Sequence, residues 1–112
     1  MEISAAVLPA FLLVVFANGA QAQGNKLEAE GHARSINGDV ATSVDFHNTS
    51  SAARKVWWLG YDGQRKLYMQ LAPQESYLQP TYLTHPWLVT DAEDNGLAIY
   101  YPDSKLRQVT IE

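Results

Sequence analysis

Lys55-Val56-Trp57-Trp58-Leu59-Gly60-Tyr61-Asp62-Gly63-Gln64-Arg65-Lys66-Leu67-Tyr68-Met69-Gln70-Leu71 is the stretch that decides the fold. Its first arm is too short and too rich in β-forming residues for a helix. It runs at once into Asp62-Gly63, a dipeptide that tolerates left-handed backbone and is a strong hairpin signal. A two-residue loop of Asp62 and Gly63 would pair Tyr61 with Gln64 and join strands over 55–61 and 64–71, with Ala72-Pro73-Gln74 closing the second arm. That register sets Trp57 opposite Tyr68 and Trp58 opposite Leu67.

Upstream, Val44 and Phe46 alternate with Asp45 and His47, the period of a strand with one buried face, and Asn48-Thr49-Ser50-Ser51 reads as a turn. Downstream, strands are expected over 76–83, 87–90, 97–101 and 107–111, with turns at Asp91 to Gly96 and Tyr101-Pro102-Asp103-Ser104. Pro86 has no N–H for a ladder, so it should open a strand or lie on an edge. No helical period of useful length follows residue 22. Six to seven short strands at this spacing predict an all-β fold, an antiparallel β-sandwich.

The apolar run Ala5 to Ala17, followed by Asn18, Gly19 and Ala20-Gln21-Ala22, reads as an N-terminal signal segment cleaved after Ala22, although Glu2 stands where Lys or Arg is usual. It is too short to span a bilayer. The expected compartment is therefore secreted or periplasmic, with no stable membrane span after cleavage. The organisation that follows is a signal peptide over 1–22, a loose polar leader over 23–31 and a β domain over 32–112.

A formal charge of −4 leaves no basic face for phosphates, which argues against a nucleic-acid partner. With no cysteine, disulfides, thiolate metal sites and cysteine nucleophiles are excluded. Packing must hold the small domain together, and its three Trp and six Tyr, with Phe46 of the sequence's three Phe, are the obvious means. His32, His47 and His85 lack the i+2 or i+4 partners typical of metal ligands, so no metal is expected. No Gly-x-Ser-x-Gly elbow is present, and Glu93 and Asp94 fall in a turn, so neither catalytic residues nor a cofactor is expected.

Asn48-Thr49-Ser50 is a glycosylation sequon for a eukaryotic host, with an unmodified turn as the alternative. In His85-Pro86-Trp87 the first and third residues project to the same side of an extended chain, and the residue before proline is held extended. Both readings of the pair stay open: two groups facing a ligand, or a core Trp87 beside an incidental His85.

The landmarks Arg34-Ser35-Ile36-Asn37, Val44-x-Phe46-x-Asn48-x-Ser50, Trp58-Leu59-x-Tyr61-Asp62-Gly63, Tyr68-x-x-Leu71-x-Pro73, Tyr82, His85-x-Trp87-Leu88 and Asp91-Ala92 occur in order between Arg34 and Asp91. In that order and spacing the chain resembles the von Hippel–Lindau β-domain family. The resemblance implies a β-sandwich that captures 4-hydroxyproline within an extended peptide. It implies Trp58 and Trp87 as aromatic walls, Tyr68 toward the peptide backbone, and Thr81 and His85 on the hydroxyl. Thr81 stands where the family has serine, and Met69, where the family has proline, joins Tyr82 at the rim. A pocket shared by Trp58 and Tyr68 conflicts with the two-residue loop, which puts them on opposite faces, and requires a β-bulge or broken arm near Lys66.

The family also carries a helical domain that docks elongin C. This sequence is read without one, so neither elongin nor a ubiquitin-ligase role is expected. The expected function is a non-enzymatic module that binds an extended peptide or protein, hydroxyprolyl in the family's manner. A carbohydrate-binding sandwich and a structural domain without a ligand pocket are the alternatives.

Overall fold

The structure is a computed structural model that describes residues 24–112; the signal segment read over 1–22 lies outside the described residues. A short 3-10 helix, Glu28–Gly31, precedes seven strands: β1 (Ala41–Asn48), β2 (Arg54–Leu59), β3 (Arg65–Leu71), β4 (Ser76–Tyr82), β5 (Trp87–Thr90), β6 (Gly96–Tyr100) and β7 (Arg107–Ile111). They form a three-stranded sheet, β4-β1-β7, and a four-stranded sheet, β3-β2-β5-β6. The expected all-β fold is what the chain adopts. One of the five strand pairs departs from the expected antiparallel arrangement: β1 and β7 run parallel, from Val44 beside Arg107 to Asn48 beside Ile111. Parallel neighbours need a crossover, and here the chain makes it by leaving β6 in one sheet for β7 in the other.

The core lies between the sheets and is built from Val44 and Phe46 of β1, Val56 and Leu71, Trp87 and Val89 of β5, and Val109 and Ile111 of β7. Pro86 opens β5, its carbonyl accepting from Leu59 N–H at 3.1 Å. Pro80 sits in β4, an edge strand, where a missing donor is tolerated.

Every residue of β5 is buried. The reason is a second apolar cluster on the outer face of the four-stranded sheet, where Trp57, Leu59 and Leu88 meet Ala33, with Leu27 packed against them. The segment read as a loose leader therefore packs on the sheet. Its Glu30 is only 6% exposed and grips Arg65 bidentately, Oε2 to Nε at 2.6 Å and Oε1 to Nη2 at 3.0 Å. Arg65 also donates from Nη1 to the Asp94 carbonyl at 2.7 Å and lies 5.7 Å from the Trp57 ring. Asn25 joins in, its carbonyl accepting from Gly96 N–H at 2.8 Å. The leader looked unable to bury itself because its charge is polar in isolation; paired with a guanidinium, the charge can enter the fold.

The hairpin loop is longer than expected. Leu59 pairs with Arg65, Gly60 N–H donates to Gln64 at 3.0 Å, and Gly63 N–H donates to Gly60 at 2.9 Å. Three residues, Tyr61, Asp62 and Gly63, thus form the loop, ending on Gly63 at φ +79°. Left-handed backbone at the last position is what a three-residue hairpin loop requires and what glycine supplies. Trp58 now stands opposite Lys66 and Trp57 opposite Leu67, but Val56 stands opposite Met69. The extra residue is Tyr68, so the bulge foreseen near Lys66 falls at Tyr68 itself. It keeps Trp58, Lys66 and Tyr68 on one side of the sheet.

Asn48 is fully buried at the end of β1. Its Nδ2 donates to the carbonyls of Ala52 and Leu71 at 2.9 and 3.0 Å, and its Oδ1 accepts from Ser50 N and Oγ at 3.0 and 2.7 Å. The amide of the sequon residue Asn48 thus ties the end of β1 to the turn at Ser50 and Ala52 and to Leu71 of β3.

Candidate functional site

Trp58 and Trp87 are direct cross-strand partners on β2 and β5, so their side chains share a face. The bulge adds Tyr68 to that face. Its ring stands edge-on to both indoles, with centroids 6.2 Å from Trp58 and 4.9 Å from Trp87. Thr81 arrives from the opposite sheet, where it accepts the Trp87 indole N–H at 3.0 Å. His85 sits in the turn between β4 and β5, its N–H bonded to the Tyr82 carbonyl at 2.9 Å. Its ring lies 5.2 Å from Trp58 at a tilt of 32°. The five residues carried over from the resemblance are thus brought together, although they come from four strands and a turn.

Burial is graded across the group. Trp87, Thr81 and His85 are 2%, 5% and 7% exposed, whereas Tyr68 is half exposed and forms an open side. Phe46 lies beneath Trp87, with ring centroids 6.1 Å apart. Of the two rim residues, Tyr82 lies 5.3 Å from the His85 ring and is partly exposed. Met69 instead turns toward the core, opposite Val56. A concavity of about 320 Å³ adjoins the group on the hairpin side, lined by Trp58, Tyr61, Gln64 and Lys66 among others; of the five residues, only Trp58 borders it.

Two groups in this neighbourhood were not singled out from the sequence. Ser35 accepts the Trp58 indole N–H at 2.7 Å and donates to the Leu59 carbonyl at 2.7 Å, fixing the plane of the wall. It stood among the landmarks, but nothing local marked it as a partner of an indole 23 residues away. Tyr61 lies with its hydroxyl 3.0 Å from His85 Nε2. The hairpin reading made it a strand residue rather than a member of the site.

Burial pushes the His85 imidazole below its ordinary pKa, and a hydrogen bond with the Asn37 backbone works in the opposite direction. Neutral imidazole has one donor and one acceptor nitrogen. Thr81 Oγ1 already accepts from Trp87 and keeps its own O–H to donate. The chemistry on offer is a hydroxyl and an imidazole beside three aromatic rings, able to stack on and hydrogen-bond a ligand. Among the described residues, no three His, Asp or Glu side chains gather into a group that could hold a metal ion.

Fold and site together define a β-sandwich in which three aromatic rings, a hydroxyl and an imidazole gather beside the exposed Tyr68. The family model for the VHL beta domain matches residues 33–103, a span that includes all five residues, and the chain belongs to that family. No curated protein gives a match to the chain. The VHL beta domain is a protein-interaction module and not a known enzyme fold, so binding of a protein or peptide is the general function the family supports.

Proposed function

We propose that this chain captures an extended peptide or protein segment by enclosing a hydroxyproline ring between Trp58, Tyr68 and Trp87. The observation that carries this reading is the buried pair of polar side chains, Thr81 and His85, set among those aromatic rings. In the bound state the Thr81 O–H donates to the ring hydroxyl, which in turn donates to the acceptor nitrogen of His85. Unmodified proline offers the Thr81 O–H no acceptor, and burying a polar group without a partner costs about 1–3 kcal/mol. A site built around a ligand hydroxyl discriminates for this reason against the analogue that lacks it.

The proposed setting is outside the cytoplasm, in a secreted or periplasmic compartment, which rests on the apolar run and small residues ending at Ala22. Secretion can be checked separately by N-terminal sequencing of the exported chain, which should begin at Gln23. For the binding reading, matched peptides differing only in hydroxyproline versus proline are titrated while tryptophan fluorescence is followed. The hydroxyprolyl peptide should bind more tightly than its twin. Equal affinities, or no response to either, would overturn the reading.

A further inference from the structure

The Tyr61 hydroxyl sits 3.0 Å from His85 Nε2 and stands where a second hydroxyl would have to compete. The two rings are packed edge-to-face, with centroids 5.4 Å apart, and Tyr61 also contacts Trp58 edge-on at 5.6 Å. His85 is buried, but Tyr61 is 50% exposed and lies in the three-residue hairpin loop. Its phenol can therefore leave the imidazole for water at little cost, whereas the imidazole cannot reach water by itself.

We infer that Tyr61 is a specificity-determining residue that keeps His85 hydrogen-bonded when the captured ring carries no hydroxyl. The inference rests on the peptide-capture reading given above. A hydroxylated ring displaces the phenol and takes its place on Nε2, exchanging one hydrogen bond for another. An unhydroxylated ring leaves the Tyr61–His85 bond intact, so the imidazole is never stranded. Only Thr81 then goes without a ligand partner. Tyr61 thus relaxes the pocket's preference for hydroxyproline, and the ligands admitted include segments with unmodified proline at moderately reduced affinity.

The consequence is counterintuitive and measurable. Removing the phenol oxygen takes away the internal partner, so an unhydroxylated ligand then buries an unpaired imidazole nitrogen. In Tyr61→Phe, the ratio of prolyl to hydroxyprolyl dissociation constants should rise by roughly 5- to 150-fold over the parent chain, the range a stranded polar group produces. Tyr61→Leu removes the same oxygen and should shift the ratio in the same sense. Calorimetric titration of the three proteins with both peptides tests this. A ratio unchanged or lowered in both variants, with the parent still binding, would overturn the role of Tyr61 and leave peptide capture standing. Failure of the parent to bind either peptide would overturn peptide capture, and the inference with it.

Discussion

The Trp87 indole N–H donates to the Thr81 hydroxyl at 3.0 Å, and this bond joins the two sheets of the sandwich at a deeply buried aromatic residue. Thr81 therefore supports the fold as well as the proposed ligand. Thr81→Val keeps the shape but strands the indole N–H, and should lower the unfolding free energy by about 1–3 kcal/mol in urea denaturation. Thr81→Ser, which restores the acceptor, should recover most of that. A valine variant as stable as the parent would show that the indole does not depend on the hydroxyl.

The leader should behave as part of the domain. Arg65 and Glu30 are buried together, so deleting either side of the pair leaves an uncompensated charge. Arg65→Met or Glu30→Ala is expected to cost about 3–5 kcal/mol, the scale for breaking a buried ion pair. Hydrogen exchange should quicken at Glu30 and His32, whose N–H groups bond to Leu27 and Ala29. Slow exchange at both in either variant would mean that the 3-10 turn holds without the ion pair.

Acid should weaken the domain in a window set by His85. Burial lowers its pKa below the ordinary 6.5, so on acidification the unfolded chain takes up the proton first. Stability from this group is complete above about pH 6.5 and falls as pH drops through the lowered folded-state pKa. His85→Gln should flatten the decline in melting temperature between about pH 7 and pH 5. Asp91 does not confuse the result. Hydrogen bonds from the Asn95 side chain and backbone hold its pKa below the ordinary 3.8, so its contribution is lost only at lower pH. An equally steep decline in the variant would move the cause to other groups.

Asn48 should carry no sugar in folded protein from a glycosylating host, as intact mass spectrometry would show. Asn48→Ala removes four hydrogen bonds and should cost about 2–4 kcal/mol. A folded, glycosylated species would contradict the buried position of this amide.

The strands were legible because alternation such as Val44, Asp45, Phe46, His47 reports one buried face, and the turns between them are marked by glycine, proline and asparagine. Direction was not legible: nothing in the alternation of β7 says that it runs parallel to β1. Loop length was misread because Asp62-Gly63 suits a two-residue loop and equally the end of a three-residue one. The bulge at Tyr68 had no local signal; only the requirement that Trp58 and Tyr68 share a pocket called for it. Glu30 and Tyr61 were missed for a common reason. Each finds its partner, Arg65 or His85, 35 or 24 residues away, and side-chain pairs of that range leave no trace in a single sequence.

The three tryptophans allow peptide capture to be tested residue by residue, because Trp57 lies on the opposite face of the sheet with its indole N–H bonded to Thr90 at 2.8 Å. The measurement is the nitrogen–proton NMR spectrum of the three indoles during titration with a hydroxyprolyl peptide. The Trp58 and Trp87 signals should move and saturate together while the Trp57 signal stays in place. Stationary Trp58 and Trp87 signals, or a response confined to Trp57, would contradict capture at this site.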